Sequence, residues 1–320
     1  MAYTSLRANP KLIMPYIGRF APSPTGPLHF GSLVAAVASY CDAKSNGGQW
    51  LLRMEDLDKP REMVGAANNI LRSLEAFGFE WDAPIIVQSH RSEIYETYLH
   101  HLNRKGFIYA CTCSRKEIAD SSAASGVDGA IYSKTCEHNR LNGQSHASTS
   151  RINACSWRIS VNNAQKIAFV DAIQGAVSQN LQTDVGDFIL KRKDGFFAYQ
   201  LAVVVDDALQ NITHIVRGAD LLDSTPRQIY LQYLFDFATP NYAHVPVAVN
   251  AAGEKLSKQT LAKPIDTSLA SHLIVEALSF LGQMPPLALK NASVAECWRW
   301  AIAHWNGANV PRQDKIVIHT

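Results

Sequence analysis

Residues 18–33 read GRFAPSPTGPLHFGSL, with three prolines, three glycines and one histidine, His29, just before an apolar helical run. A strand, a stiff turn and then a helix present backbone N–H groups and a positive dipole end to an anion. The prolines fix φ, while Gly26 and Gly31 carry no Cβ and let backbone approach a ligand. His29 can give a phosphate a hydrogen bond; a solvated histidine on a stiff turn is the plain alternative. The corner is neither G-x-x-x-x-G-K-[ST] nor G-x-G-x-x-G, so neither phosphate-loop fingerprint applies.

A second group is sulfur chemistry. Of six cysteines, Cys111, Cys113 and Cys136 fall close together, and this sparse use fits a reducing compartment and a metal site better than a disulfide framework. A tetrahedral structural site needs four ligands. Candidates for the fourth are Tyr132, His138 and Cys155. Side-chain chemistry alone favours the His138 imidazole, because a tyrosine must lose a proton of ordinary pKa ~10. Three buried thiols without a metal are the alternative, and the poverty of residues 114–154 in apolar side chains argues for a clamp. Cys41 and Cys297 lie in helical patterns and read as core or boundary residues.

The elements that must position these groups alternate over the first ~110 residues. Strands are expected at 16–21, 47–55 and 84–89, and helices at 30–46, 62–79 and 91–107. Leu33, Val34, Val37 and Ala38 mark the stripe of the first helix; Val64, Ala67, Leu71, Leu74 and Phe77 mark the second. That order predicts a parallel sheet built by right-handed crossovers. Residues 108–156 read as a loop-rich insertion. Short strands are expected near 157–160, 167–170, 187–191 and 195–198, a buried helix or strand at 199–209, a strand at 212–221, a helix at 225–237 and a strand at 244–249. The last ~55 residues read as mostly helical.

Bulk properties exclude several classes. The 320 residues suffice for one large domain or two ordinary ones, and 47% hydrophobic with 18% charged residues is globular composition. A formal net charge of +2 gives no global basic field. No run of ~18 apolar residues predicts a membrane span. The start, MAYTSLRANPKLIMPYIG, reads as a short extension rather than a signal peptide, and the expected location is the cytoplasm.

RFAPSPTGPLHFGS resembles the HIGH-type signature of class I aminoacyl-tRNA synthetases of the glutamate type. LLRMEDLDKPRE (51–62) resembles the acidic strand end that follows it, YQLAVVVDD (199–207) and HIVRGADLL (214–222) resemble two further blocks, and EKLSKQT (254–260) resembles the KMSKS loop. These five blocks, in order, cover about 240 residues. The resemblance is closest to the glutamyl-Q tRNA(Asp) synthetases, short relatives that attach glutamate to queuosine. Only ~60 residues follow the KLSKQ loop, too few for the anticodon-binding region of a full glutamyl-tRNA synthetase.

The resemblance implies an α/β fold: a Rossmann-like, doubly wound parallel sheet with a zinc-clamped insertion and a small helical C-terminal region. Its expected divisions are an extension (1–15), the first half of the catalytic domain (16–107), a zinc-containing, acceptor-like subdomain (108–198), the second half (199–250), and the KMSKS-type loop with C-terminal helices (251–320). The implied reaction is ATP-dependent formation of glutamyl-adenylate, with Mg²⁺ accompanying ATP and no dedicated protein cage for it in the sequence. The product is then passed to queuosine in tRNA(Asp). The alternative is charging the 3′ end of tRNA(Glu).

Glutamate carries two carboxylates and an ammonium. Arg19 offers a planar fork that matches a carboxylate, and Phe20, Ala21, Pro22 and Ser23 accompany it. Glu55, at the end of an apolar strand, would take the ammonium, with Asp56 and Asp58 left outside the contact shell. Tyr199 and Arg217 match glutamate-binding positions of the family. His29, Gly31, Lys255, Ser257 and Lys258 would face ATP, with His29 and Lys258 stabilising charge as pyrophosphate leaves. For the zinc, the subfamily uses a tyrosine four residues before its last cysteine, which selects Tyr132 over His138 beside Cys111, Cys113 and Cys136. The expected partners are L-glutamate, ATP and queuosine-bearing tRNA(Asp), with no membrane; a monomer is expected.

Overall fold

A computed structural model describes residues 15–122, 124–127, 129–141, 155–164, 166–255 and 263–318. In chain order, β1 (Ile17–Phe20) leads through the proline corner to α1 (Phe30–Ser45), β2 (Gln49–Met54), α2 (Ala66–Ala76), β3 (Ile86–Val87) and α3 (Ser92–Arg104). Next come β4 (Ile108–Cys111), α4 (Arg115–Ser121), β5 (Ser125–Gly126), β6 (Gly129–Ala130), α5 (Thr135–Leu141), β7 (Ser156–Ile159), β8 (Lys166–Asp171), β9 (Gly175–Asn180), α6 (Leu181–Asp184) and β10 (Phe188–Lys191). The chain then returns through α7 (Tyr199–Leu209), β11 (His214–Gly218), α8 (Thr225–Phe235), β12 (Asn241–Val245) and β13 (Val247–Val249). It closes with α9 (Ala270–Phe280), α10 (Val294–His304) and β14 (Lys315–Val317).

The first three strands are parallel in the order β1-β2-β3, with Arg19 opposite Leu51 and Arg53 opposite Ile86. The β11–β12 pair is also parallel, with Arg217 opposite His244. It sits beside β1, where the Thr213 N–H donates to the Ile17 carbonyl at 2.9 Å. A glycine at the start of β2 is required: a Cβ on Gly48 would lie 2.5 Å from the Tyr16 carbonyl oxygen. Parallel pairing brings the strand ends at Phe20 and Met54 to one edge, where α/β sheets hold ligands.

α1 is buried nearly all round, and the predicted stripe Leu33, Val34, Val37 and Ala38 is only part of its buried surface. The reason is a layer on its outer side: α9 and α10 pack on it, and Tyr40, Phe79 and Trp298 interlock with ring centroids 4.8–5.3 Å apart. Cys41 and Cys297 are both buried in that core. A second core joins α3, α7, α8 and β10.

Several expectations need correction. α2 begins only at Ala66, after Gly65 adopts a left-handed φ of 77°, so Val64 lies outside the helix and is fully exposed. No strand forms at 195–198; Gly195 turns the chain at φ 87°, leaving an isolated bridge between Lys191 and Phe197. The expected strand at 212–221 ends at Gly218 and gives way to a 3₁₀ turn. The strand expected at 244–249 is two strands separated by Pro246, which has no N–H to continue a ladder. β9 was not foreseen, and β14 interrupts the helical C-terminal region by pairing in parallel with β13. The insertion is more regular than a loop: β4 and β10 flank β7 antiparallel.

Candidate active site and cysteine cluster

A cleft of about 1240 Å³ opens at the strand ends. Arg19, Phe20, Ala21, Pro22, Ser23, His29, Gly31, Glu55, Tyr199, Arg217 and Lys255 all line it. The expected Ser257 and Lys258 lie outside the described residues. Asp58 lines the cleft as well, whereas Asp56 borders a smaller adjoining pocket.

At one end the charges are arranged on three elements. Arg19 of β1 donates to Asp207 of α7 from Nε at 3.1 Å and from a terminal nitrogen at 3.4 Å. Arg53, fully buried on β2, reaches the same carboxylate at 2.8 Å and donates to Glu55 at 3.1 and 3.3 Å. The neighbouring Asp206 accepts from Tyr95 and Arg91 at 2.7 Å and from Gln88 at 2.8 Å. Burial works against the Asp207 carboxylate, but Arg19 and Arg53 hold its pKa below the usual range. Glu55 goes the other way: burial raises its pKa, and Arg53 and Arg19 offset only part of that. A cationic group arriving beside Glu55 would complete its compensation.

Arg217 is a third cation at this end. It donates from Nε to His244 at 3.0 Å, and from its terminal nitrogens to the Tyr199 hydroxyl at 3.2 Å, Thr225 Oγ1 at 2.8 Å and the Leu221 carbonyl at 3.3 Å. Among the described residues its hydrogen-bond partners are all neutral, given a neutral imidazole; Arg19 instead faces a carboxylate.

At the other end His29 caps the N-terminus of α1, its Nδ1 accepting from the Ser32 N–H at 3.3 Å. That bond places the proton of the neutral ring on Nε2, which thereby becomes a donor and rests against Ser32 Oγ at 3.1 Å. Burial, helped by the Lys255 cation and opposed by Asp220, pushes the His29 pKa down to about 4. His29 is thus a neutral donor near pH 7. Lys255 pairs with Asp220 at 2.5 Å, bringing the start of the KMSKS-like loop to the turn after β11. A Cβ on Gly218, where that turn begins, would meet Asp220 Oδ1 at 2.4 Å, so a larger residue there would displace the Asp220 side chain.

Away from this cleft, β4, the segment before α4 and the start of α5 bring the thiols of Cys111, Cys113 and Cys136 within 4.8 Å of one another. The buried Tyr132 hydroxyl lies 3.5 Å from the sulfurs of Cys111 and Cys113 and accepts the Cys136 N–H at 2.9 Å. Among the described residues no histidine or carboxylate joins the three thiols; His138 is exposed and Cys155 stands outside the group. The three-thiol donor set is compatible with a metal such as zinc.

The family model for class I tRNA synthetases (E and Q), catalytic domain, matches residues 17–276. A protein of Dechloromonas aromatica named glutamyl-Q tRNA(Asp) synthetase is 55% identical over 95% of this chain and 98% of its own length. The chain belongs to the glutamyl-Q tRNA(Asp) synthetase family.

Other members of the glutamyl-Q tRNA(Asp) synthetase family, from Aromatoleum aromaticum and Chromobacterium violaceum, are 53% and 52% identical over 93% and 92% of the chain. They are matched over 91% and 95% of their own lengths. Among solved structures, a glutamate tRNA ligase from Elizabethkingia meningosepticum superposes with a TM-score of 0.72 at 25% identity, over 94% of this chain but 66% of its own. The fold also matches a glutamate-tRNA synthetase from Elizabethkingia anophelis, with a TM-score of 0.74 at 24% identity, over 96% and 68% of the two chains. The α/β class I catalytic fold with a parallel sheet is thereby established. Among the described residues no helix is long and apolar enough to cross a membrane.

For this family member, reading the sequence missed the residues that hold the others in place: Arg53, Asp206, Asp207, Asp171 and His244. Two adjacent aspartates ending the apolar run AVVVDD were the available signal. Charges on an otherwise apolar helix require buried partners.

Proposed function

We propose that the chain couples L-glutamate to ATP, forming glutamyl-adenylate, and passes the glutamyl group to queuosine in the anticodon of tRNA(Asp). The observation that carries this reading is the meeting, in one cleft, of a carboxylate-and-ammonium site (Arg19, Glu55, Tyr199, Arg217) with the His29 corner. The names of the similar proteins supply the substrate identities.

In the first step a glutamate carboxylate oxygen attacks the α-phosphorus of ATP. The α–β phosphoanhydride bond breaks, and its electron pair leaves on pyrophosphate. Arg19 and Arg217 hold carboxylates and Glu55 takes the ammonium, which together fix the attacking atom. The His29 Nε2–H and the cations Lys255 and Lys258, with the helix N-terminus, stabilise charge gathering on the phosphates, with Mg²⁺ bound to ATP. In the second step a hydroxyl of the queuosine diol attacks the activated carbonyl and AMP leaves.

Cys111, Cys113, Cys136 and Tyr132 would hold one zinc ion, whose contribution is structural. Arg158 lies 4.4 Å from the centre of the Tyr132 ring as a cation–π contact, while burial and the neighbouring thiols raise the Tyr132 pKa, so a phenolate ligand would draw its stabilisation from the metal's charge. Charging the 3′ end of tRNA(Glu) is the second reading, favoured by the likeness to the Elizabethkingia meningosepticum ligase. ATP–pyrophosphate exchange tests the activation step with tRNA present: glutamate should support it and glutamine should not. Exchange with no dependence on glutamate would overturn the reading.

A further inference from the structure

His244 is fully buried on β12 and does not line the cleft, yet it holds Arg217, a buried cation of the cleft wall, from behind. Its Nδ1 lies 2.6 Å from Asp171 Oδ2, and its backbone N–H donates to Asp171 Oδ1 at 3.1 Å. That carboxylate also accepts the N–H groups of Ile173 and Gln174 at 3.0 and 2.9 Å. With so many donors and the His244 ring beside it, Asp171 stays ionised despite burial, its pKa held down. An ionised acceptor at Nδ1 fixes the ring proton there, so Nε2 presents a lone pair. The Nε–H of Arg217 donates to that lone pair at 3.0 Å. Burial, with Arg217 adding to it and Asp171 opposing, keeps the His244 pKa down and the ring neutral.

The contrast with Arg19 gives the arrangement its meaning. A carboxylate in the place of the ring would bind Arg217 as firmly but offset its charge, as Asp207, shared with Arg53, offsets part of the charge of Arg19. A neutral acceptor orients the guanidinium while leaving its charge for the incoming ligand. Thr225 Oγ1, the Tyr199 hydroxyl and the Leu221 carbonyl, the other partners of Arg217, follow the same rule.

We propose that His244, fixed as its Nδ1–H tautomer by Asp171, is a positioning residue that aims Arg217 at a substrate carboxylate and leaves its charge uncompensated. This rests on reading the cleft as a glutamate-activating site. It makes glutamate affinity, and not ATP affinity, the quantity that His244 and Asp171 control.

The test is ATP–pyrophosphate exchange at varied glutamate and ATP for wild type, His244→Leu, His244→Gln, His244→Glu and Asp171→Asn, with circular dichroism to establish folding. His244→Leu removes the acceptor and should raise the KM for glutamate about 10- to 100-fold, the range for a lost hydrogen bond to a charged group, leaving the KM for ATP within about threefold. His244→Gln offers an amide oxygen and should recover most of that loss. His244→Glu should bind glutamate at least as poorly as the leucine variant, although it restores an acceptor. Asp171→Asn, should the leucine variant not fold, should still raise the KM for glutamate selectively, because an amide no longer imposes the tautomer. A glutamate KM unchanged in the folded variants, or glutamate and ATP KM values rising together, overturns the proposal. Absence of glutamate-dependent exchange in the wild type would instead overturn the activating-site reading itself.

Discussion

Asp207 accepts two hydrogen bonds from the Arg19 guanidinium, at 3.1 and 3.4 Å, with both side chains almost wholly buried. The pair ties helix α7 to the first strand and shares its carboxylate with Arg53 at 2.8 Å. Asp207 is therefore the post on which two cations of the glutamate end are hung.

Asp207→Ala should accordingly destabilise the fold by roughly 3–5 kcal/mol, the cost of leaving a buried charge without its partner. Chemical denaturation compares the variant with wild type. A loss below about 1 kcal/mol, the scale of an exposed pair, would contradict the arrangement.

His29 sets a pH signature. Its folded pKa of about 4 lies below the ordinary 6.5, so the unfolded chain binds this proton first as pH falls. Its contribution to stability is thus undiminished above pH ~6.5, declines between ~6.5 and ~4, and levels off below. His29→Asn keeps a capping side chain and removes the titration. Thermal melts across this window should show a shallower decline for the variant; parallel curves would contradict a neutral, buried His29.

The cysteine cluster should bring about one zinc per chain through purification. Cys136→Ser should lower the zinc content and expose residues 108–141 to proteolysis, while glutamate-dependent exchange persists, since none of the thiols lines the cleft. Metal-free fresh protein with three freely reactive thiols would exclude the site.

Lys258→Ala should slow adenylate formation about 10²–10³-fold, roughly 3–4 kcal/mol of transition-state stabilisation, as for other lost donors. Near-normal ATP–pyrophosphate exchange would remove Lys258 from the chemistry.

The legible parts of the sequence were those written locally. The proline corner, the apolar stripe of α1 and the strand ending at Glu55 each declare themselves within a dozen residues, and the parallel order follows from their alternation. The fold around the cleft was therefore accessible, as was the placing of Arg19, His29, Glu55, Tyr199 and Arg217 on its wall. What supports those side chains was not. Asp207 meets Arg19 across 188 positions and His244 meets Asp171 across 73, and no periodicity records such pairings. Arg53 on an apolar strand and Asp206 on an apolar helix each look like breaks in a pattern until their partners are seen. Strand β9 escaped because GAVSQN carries little apolar signal and owes its pairing to the β8 hairpin. β14 escaped because its partner β13 lies 68 positions away, Val247 opposite Lys315.

The acceptor decides the central claim. Labelled glutamate and ATP are incubated with tRNA(Asp) with and without queuosine and with tRNA(Glu), followed by periodate oxidation of a parallel set of tRNAs before reaction. Transfer to queuosine predicts label on queuosine-bearing tRNA(Asp) alone, abolished when periodate has destroyed the diol. Label on tRNA(Glu), with none on tRNA(Asp), would contradict it.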